Sequence, residues 1–405
     1  MIRGRMKGMA AGLALLAASP AVAEDGLGWQ DGLPRLSAFG GGFTMRPSLR
    51  LDADAGSFFG QDEPEGFRSG VNLRRARLGL RGALGEAVEY RFTWDFGGSS
   101  PNDYSQVYEA QLAWKALDRM TVRAGAFQLR HLPEYAGSSF ETLFLERAAI
   151  SNIAASVASG DTRTALGLEA HGERWVASAY GTGGVLSTRN DGRQRGLVGR
   201  AAWLAFDAPV GALQLGMNGA HQFEPGTSPG RNSIGLDDYP ELRVDSRVFL
   251  DTGTIPADSA SAWGPEAAGR AGPLYVEALY QRVTVDALSG GRRDFSGWYV
   301  QAALPLLGPP REREADSGSW GLGTVPDFNP AAGGFGALEL AGRYSEADLR
   351  DGETRGGRQR IWSVGLNWFP AAWLRLSAQY QNGRIGLDGP DRDFQAIGLR
   401  AAFEM

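Results

Sequence analysis

Four arginines fall within eight residues of the stretch LRRARLGLRGALGEAVEYRFTWDFGG (Leu73–Gly98): Arg74, Arg75, Arg77 and Arg81. A guanidinium stays charged at any physiological pH and offers a planar fork of N–H donors suited to carboxylate and phosphate oxygens. Such a run can form an anion-binding wall, or it can pair with acids on neighbouring segments. The stretch continues with Glu89, Arg91, Thr93 and Asp95 interleaved among Val88, Tyr90, Phe92, Trp94 and Phe96, which a nucleic-acid patch does not explain. Successive side chains on a strand point to opposite faces. These residues therefore describe strands with one charged and one apolar face.

Other chemistries find little support. His131, His171 and His221 are scattered, no HExxH occurs and there is no cysteine, so no metal site is expected. No Gly-x-Ser-x-Gly elbow and no P-loop appears, so no catalytic residue and no cofactor is assigned. The formal charge of -5 and pI near 5.5 exclude general attraction to nucleic acid.

The elements that must position these arginines recur along the chain. In Thr44–Asp52, Arg46, Ser48, Arg50 and Asp52 oppose Met45, Leu49 and Leu51; in Met120–Ala126, Thr121 and Arg123 oppose Met120, Val122 and Ala124. About sixteen such segments are expected, each roughly ten residues long. They begin at 37–53, 70–83, 87–97, 104–116 and 119–129, place the tenth at 240–251, and end at 392–405. Short joints (Leu84–Glu86, Asp207–Val210, Pro370–Ala372) alternate with long loops near 130–160, 223–239, 252–272 and 307–334. That is the rhythm of periplasmic turns and external loops in an outer-membrane barrel.

Residues 1–23 read as a secretory signal peptide, with Arg3, Arg5 and Lys7 ahead of the apolar run Met9–Ala18 and Ala21-Val22-Ala23 at the cleavage site. No apolar run of 18 residues follows. An exported chain with no spanning helix crosses a membrane only as a closed barrel. A soluble sandwich shows the same alternation with its faces reversed. The barrel is preferred because aromatics cluster at the ends of the apolar rows (Tyr90, Trp94, Trp114, Trp298, Tyr344, Trp362, Trp368, Tyr380), as an interfacial girdle requires. The expectation is an all-β protein: one domain, 24–405, folded as a transmembrane antiparallel β-barrel of about sixteen strands in contact with outer-membrane lipid.

Alternation turns Arg46, Arg50, Arg75, Arg77, Arg81, Arg91, Arg123, Arg243, Arg247, Arg343, Arg375 and Arg400 towards the lumen. Nearly as many acids share that face, among them Asp52, Glu89, Asp95, Glu109, Glu169, Glu241 and Glu339, so ion pairing competes with anion binding. Arg74 breaks the alternation, which turns it outward, and requires a bulge or an edge position. The segment His131–Asp161, with Glu134, Glu141, Glu146, Arg147 and Asp161, is the candidate for a constriction loop folded into the lumen.

The segments RRARLGLRG (Arg74–Gly82), EYRFTWDFGG (Glu89–Gly98), VRAGAFQLRHLPE (Val122–Glu134) and FLERA (Phe144–Ala148) resemble the phosphate-selective porin O/P family. DTGTIPAD (Asp251–Asp258), GWYVQAALPLLG (Gly297–Gly308), ALELAGRYSEADL (Ala337–Leu349) and WSVGLNWFP (Trp362–Pro370) extend the resemblance over most of the chain in the same order. It implies a sixteen-stranded barrel, usually a homotrimer, in the outer membrane of a Gram-negative cell, conducting small anions such as phosphate or polyphosphate. It also implies a constriction built from arginines, a lysine and an aspartate, matched here by Arg74, Arg75, Arg77 and Asp95. The chain departs at Phe127-Gln128, where the family often has Phe-Lys, and it ends in Met405 with Phe403 two residues earlier. A general, weakly selective diffusion porin is the alternative function, and an outer-membrane barrel enzyme a more distant one.

Overall fold

The computed structural model describes residues 25–30, 32–61, 66–98, 106–186, 194–226, 232–326 and 328–405. The leader expected at 1–23 and the first residues of the strand expected at 104–116 lie outside them.

Sixteen antiparallel strands close into a barrel. The first five are β1 (Phe43–Phe59), β2 (Gly70–Leu84), β3 (Val88–Asp95), β4 (Gln106–Leu117) and β5 (Met120–Phe127). Then come β6 (Arg163–His171), β7 (Trp175–Thr182), β8 (Gly196–Ala208), β9 (Gly211–Gln222), β10 (Leu250–Ala271) and β11 (Leu274–Ala287). The circuit ends with β12 (Arg292–Leu307), β13 (Ala337–Asp351), β14 (Thr354–Ala371), β15 (Leu374–Gly386) and β16 (Arg392–Glu404). The last strand pairs with the first (Arg400↔Asp54, Phe403↔Leu51), so the sheet has no open edge and its backbone groups are satisfied within the wall. The alternation works as expected: Leu78, Leu80, Trp203, Trp362 and Leu399 are exposed on the outer surface, while Arg75, Arg77, Arg200 and Arg400 are buried inside.

The start of β1, the end of β16 and the tight turns at 85–87, 118–119, 209–210 and 272–273 share one rim. That rim is periplasmic in outer-membrane barrels. A hairpin of Gly26–Gln30 and Leu33–Ala38 sits there and pairs with the base of β1. The strand expected at 37–53 is therefore divided. Residues 37–38 belong to the hairpin, and β1 starts after a turn in which Gly40 and Gly41 have positive φ.

Two further expectations need correction. The tenth strand lies at Leu250–Ala271, not 240–251, so the loop expected at 252–272 is a strand of 22 residues. The strand contains Pro256 and Pro265, although proline cannot donate to a ladder. The ladder to β11 passes from Trp263↔Arg282 directly to Glu266↔Leu279, and Pro265 falls in that interruption. The stretch 240–249 imitates a strand in its alternation, but Glu241 has φ +57, outside the extended region, and Glu241 and Leu242 are buried in the lumen. The segment 308–336 is also not external. It joins β12 to β13 at the periplasmic rim and packs up into the barrel.

The barrel interior is filled on one side. The loop after β5 carries helices α1 (Pro133–Ala136) and α2 (Ala149–Ala158). Ile150, Ile153, Ala154 and Val157 of α2 follow helical spacing and form an apolar core with Tyr180, Val198, Val283, Val285, Phe295 and Tyr299 of the wall.

Candidate functional site

The wall of β1–β5 sets the sequence-assigned arginines in rows. Arg46, Arg81 and Arg91 are direct cross-strand neighbours on β1, β2 and β3. Four residues further from the periplasmic rim, Arg50, Arg77 and Asp95 form a second row on the same strands. A cavity of about 640 Å³ opens in front of both rows, lined also by Arg123, Arg130, Glu109, Tyr108 and Glu404. Its far side is Ala136–Ser139 of the inserted loop and Glu314 of the periplasmic segment. Arg91 stands 3.5 Å from Glu109, and Arg123 binds Glu169 at 3.0 Å while donating to Gln111 at 2.6 Å.

Further from the rim a layer of ion pairs crosses the lumen. The β1–β2 register slips between Asp52↔Arg75 and Ala53↔Leu73, leaving Arg74 as an extra residue. This bulge resolves the misfit in the alternation by turning Arg74 inward beside Arg75, and both are buried. Arg74 forks onto Glu146 of the inserted loop through two hydrogen bonds of 2.8 and 3.1 Å. Glu146 also receives Arg400 at 2.9 Å, and Arg243 lies 3.5 Å away. Arg400 binds Asp54 at 2.7 Å as well, and Arg50 and Arg75 share Asp52 at 3.1 and 2.8 Å. Arg77 binds Asp95 at 2.7 Å and lies 3.4 Å over the Tyr108 ring. Burial alone would raise the Glu146 carboxyl, but the guanidiniums of Arg74, Arg243 and Arg400 hold it well below the usual carboxylate range.

The constriction-loop residues anchor the loop more than they line an opening. Burial pushes the Glu134 carboxyl up to about 7. It accepts from Ser151 Oγ at 2.7 Å and Ala148 N at 3.1 Å, while Glu241 accepts from Ala149 N at 3.1 Å. Two carboxylates thus cap the start of α2, where unpaired N–H groups and the helix dipole favour negative charge. Arg343 of β13 meets both acids, Glu241 at 2.5 Å and Glu134 at 3.4 Å. Arg147 donates to Asp161, to the Glu134 carbonyl and to Gln128, and stacks 3.7 Å over Tyr135. Gln128, at the position where the family often has lysine, donates to the Tyr135 carbonyl at 2.9 Å and accepts from Arg147 at 3.0 Å. A neutral side chain that both donates and accepts fits that position; a cation there would face Arg147. Glu141 turns to the periplasmic segment, accepting from Leu322 N, and its carbonyl accepts from Arg311.

Of the remaining lumen assignments, Arg343, Arg375 and Arg400 are buried inside as expected. Arg243 reaches the lumen from the loop before β10 and not from a strand, and Arg247 pairs with Asp245 in that same loop. Sequence reasoning missed Arg130, Arg200 and Arg311, which join the two inserted segments to the wall. Arg200 binds Glu266 at 2.7 Å and donates to the Ser317 carbonyl at 2.8 Å, Arg311 binds Glu339 at 2.8 Å, and Arg130 binds Asp316 at 3.1 Å. Arg200 alternates with Ala201 and Trp203 and was legible as inward; its partner Glu266 was hidden in the segment taken for a loop.

A family profile for phosphate-selective porin O and P matches residues 46–404. The chain belongs to this family. An uncharacterized protein of Caulobacter vibrioides is 25% identical, over 96% of this chain and 78% of its own length. Among solved structures, the barrel is similar to a loop L8 deletion mutant of OmpT, an outer-membrane protein of Vibrio cholerae, with a TM-score of 0.57 and 12% identity over 90% of this chain and 100% of that one. It is also similar to the anion-selective porin from Comamonas acidovorans, with a TM-score of 0.54 and 13% identity over 89% of this chain and 100% of that one. At these identities the likeness is one of fold. Family and fold make this member of the porin O and P family an outer-membrane porin barrel.

Proposed function

We propose that this porin is a passive, weakly selective diffusion channel for small anions, with no enzymatic activity, exported by a cleaved leader and assembled as a homotrimer. The observation that carries the reading is the in-register row Arg46–Arg81–Arg91 facing the 640 Å³ cavity. Three guanidiniums on adjacent strands, about 5 Å apart along the wall, raise the local anion concentration and lower the cost of stripping water from a passing anion.

Tight phosphate selection is less well supported than weak anion preference. Arg50, Arg74, Arg75, Arg77 and Arg400, further along the path, are each held by a carboxylate within 3.1 Å. A phosphate would have to displace a built-in acid to be bound there. Reversal potentials in planar bilayers test the reading: the wild type favours chloride over potassium, and Arg81→Gln with Arg91→Gln lowers that preference several-fold. Millimolar phosphate leaves the chloride current largely intact. A current abolished by millimolar phosphate would restore the phosphate-specific reading, and an absence of conduction would remove the channel altogether.

A further inference from the structure

The outer surface carries a charged band that the conduction reading does not use. On the outward face, Tyr280, Trp298, Glu346, Arg360, Arg384 and Asp393 form one continuous cross-strand row over β11–β16. Beyond it, away from the termini, Arg282, Ser296, Asp348 and Arg358 form the next row. On its inner side lies an aromatic cluster, with Trp298 and Tyr344 rings 5.1 Å apart and Tyr344 and Trp362 rings 4.7 Å apart. Apolar Val300, Val364, Ile397 and Leu399 follow towards the middle of the wall, all exposed.

Depth gives this order its meaning. Tryptophan and tyrosine belts mark the level of lipid headgroups, and charges on the lipid face are costly at the midplane but tolerated near the interface. The band sits just past the belt, at the rim opposite the termini, which is the level of the outer leaflet. We infer that the outward band of β11–β16 binds the anionic headgroup of an outer-leaflet glycolipid. Arg282, Arg360 and Arg384 each give one edge to an acid (Asp294, Glu346 and Asp393) while about half of the side chain stays exposed. A guanidinium has five donors, and an exposed ion pair contributes little, so the open edge is available to phosphate or carboxylate groups of a headgroup. The row spans roughly 25 Å across six strands, enough for a whole headgroup. An amphiphile would engage the arginines and lay its chains on the apolar wall below, whereas a soluble phosphate would use only the charged part. Near the same rim, the outward strand residues Thr164, Gly181, Leu197 and Gly199 of β6–β8 are uncharged.

The test uses the full chain, purified and delipidated in detergent, titrated with rough lipopolysaccharide and followed by native mass spectrometry. The wild type retains bound glycolipid; R282Q/R360Q/R384Q binds it about tenfold more weakly or worse, with single-channel conductance unchanged. Equal retention by the variant overturns the inference. So does displacement of the glycolipid by millimolar inorganic phosphate, which would mark a general anion surface. If the triple variant does not fold, the wild type decides alone: binding phosphatidylcholine as tightly as lipopolysaccharide overturns the headgroup site, and a clear preference for lipopolysaccharide upholds it.

Discussion

The wall of β1–β5 looks onto open, charged space, whereas the wall of β7–β12 looks onto Ile150, Ile153 and Val157 of α2. Both walls alternate, and both turn aromatic or aliphatic side chains outward. They differ in the other face. In β1–β5 it carries Arg46, Arg50, Arg77, Arg81 and Arg91; in β11 and β12 it carries Leu279, Val283, Val285, Phe295 and Tyr299. An inward face left wet must be polar, and one covered by a helix is stable when apolar. The lumen is therefore half channel and half core, and the ion pairs around Glu146 lie where the inserted loop meets the channel wall.

The strongest way to break that division is Glu146→Gln. It removes the carboxylate that Arg74 shares with Arg400 and leaves the buried Arg74 guanidinium uncompensated, while Arg400 keeps Asp54, at a cost of about 3–5 kcal/mol. The unfolding midpoint followed by heat-modifiable gel mobility should fall, and conductance should become larger and noisier as the loop leaves the wall. A variant with wild-type midpoint and conductance would show that this layer does not hold the loop.

A smaller effect is expected in pH dependence. The Glu134 carboxyl in the filled half is pushed up by burial from an ordinary 4.5 to about 7. A raised folded value means that the folded state binds its proton more tightly. The stability from this linkage is present below pH 4.5 and is lost as pH rises through about 7. Glu134→Gln, which cannot titrate, should flatten the unfolding curve across that window; an unchanged slope would rule out Glu134 as its source.

Gln128→Lys is the mildest test. If one missing cation were all that separates this pore from a phosphate-selective one, the variant would acquire phosphate block. The expected result is no block and a slightly less stable loop, because the ammonium would face Arg147, now held by the Gln128 side-chain Oε1 at 3.0 Å. Phosphate titration of the single-channel current decides.

Much of this was legible beforehand. Two-residue periodicity identified the two-faced strands, the inward arginines and the irregularity at Arg74, because the pleat leaves each side chain only two directions; the aromatic girdle then chose a barrel over a sandwich. The direction of Arg74 was not legible, since a bulge depends on the register with β1. Strand β10 was missed because the alternation at 240–249 imitates a strand, and a local pattern does not show that Glu241 leaves the extended region. The inward face of β11 did carry a signal: Tyr275, Leu279, Val283 and Val285 stand on the face opposite Leu274, Val276 and Ala278, and apolar residues on both faces call for something inside to cover one of them.

The sequence by itself determined the alternating wall, the closure into a barrel and the stock of inward charge, all of which follow from local geometry and the need to satisfy backbone groups in lipid. Only the tertiary structure decided which carboxylate or inserted segment each inward arginine meets. That depends on contacts between residues far apart in the chain, Arg74 with Glu146 and Arg400 with Asp54, made when the loops fold inside the closed barrel.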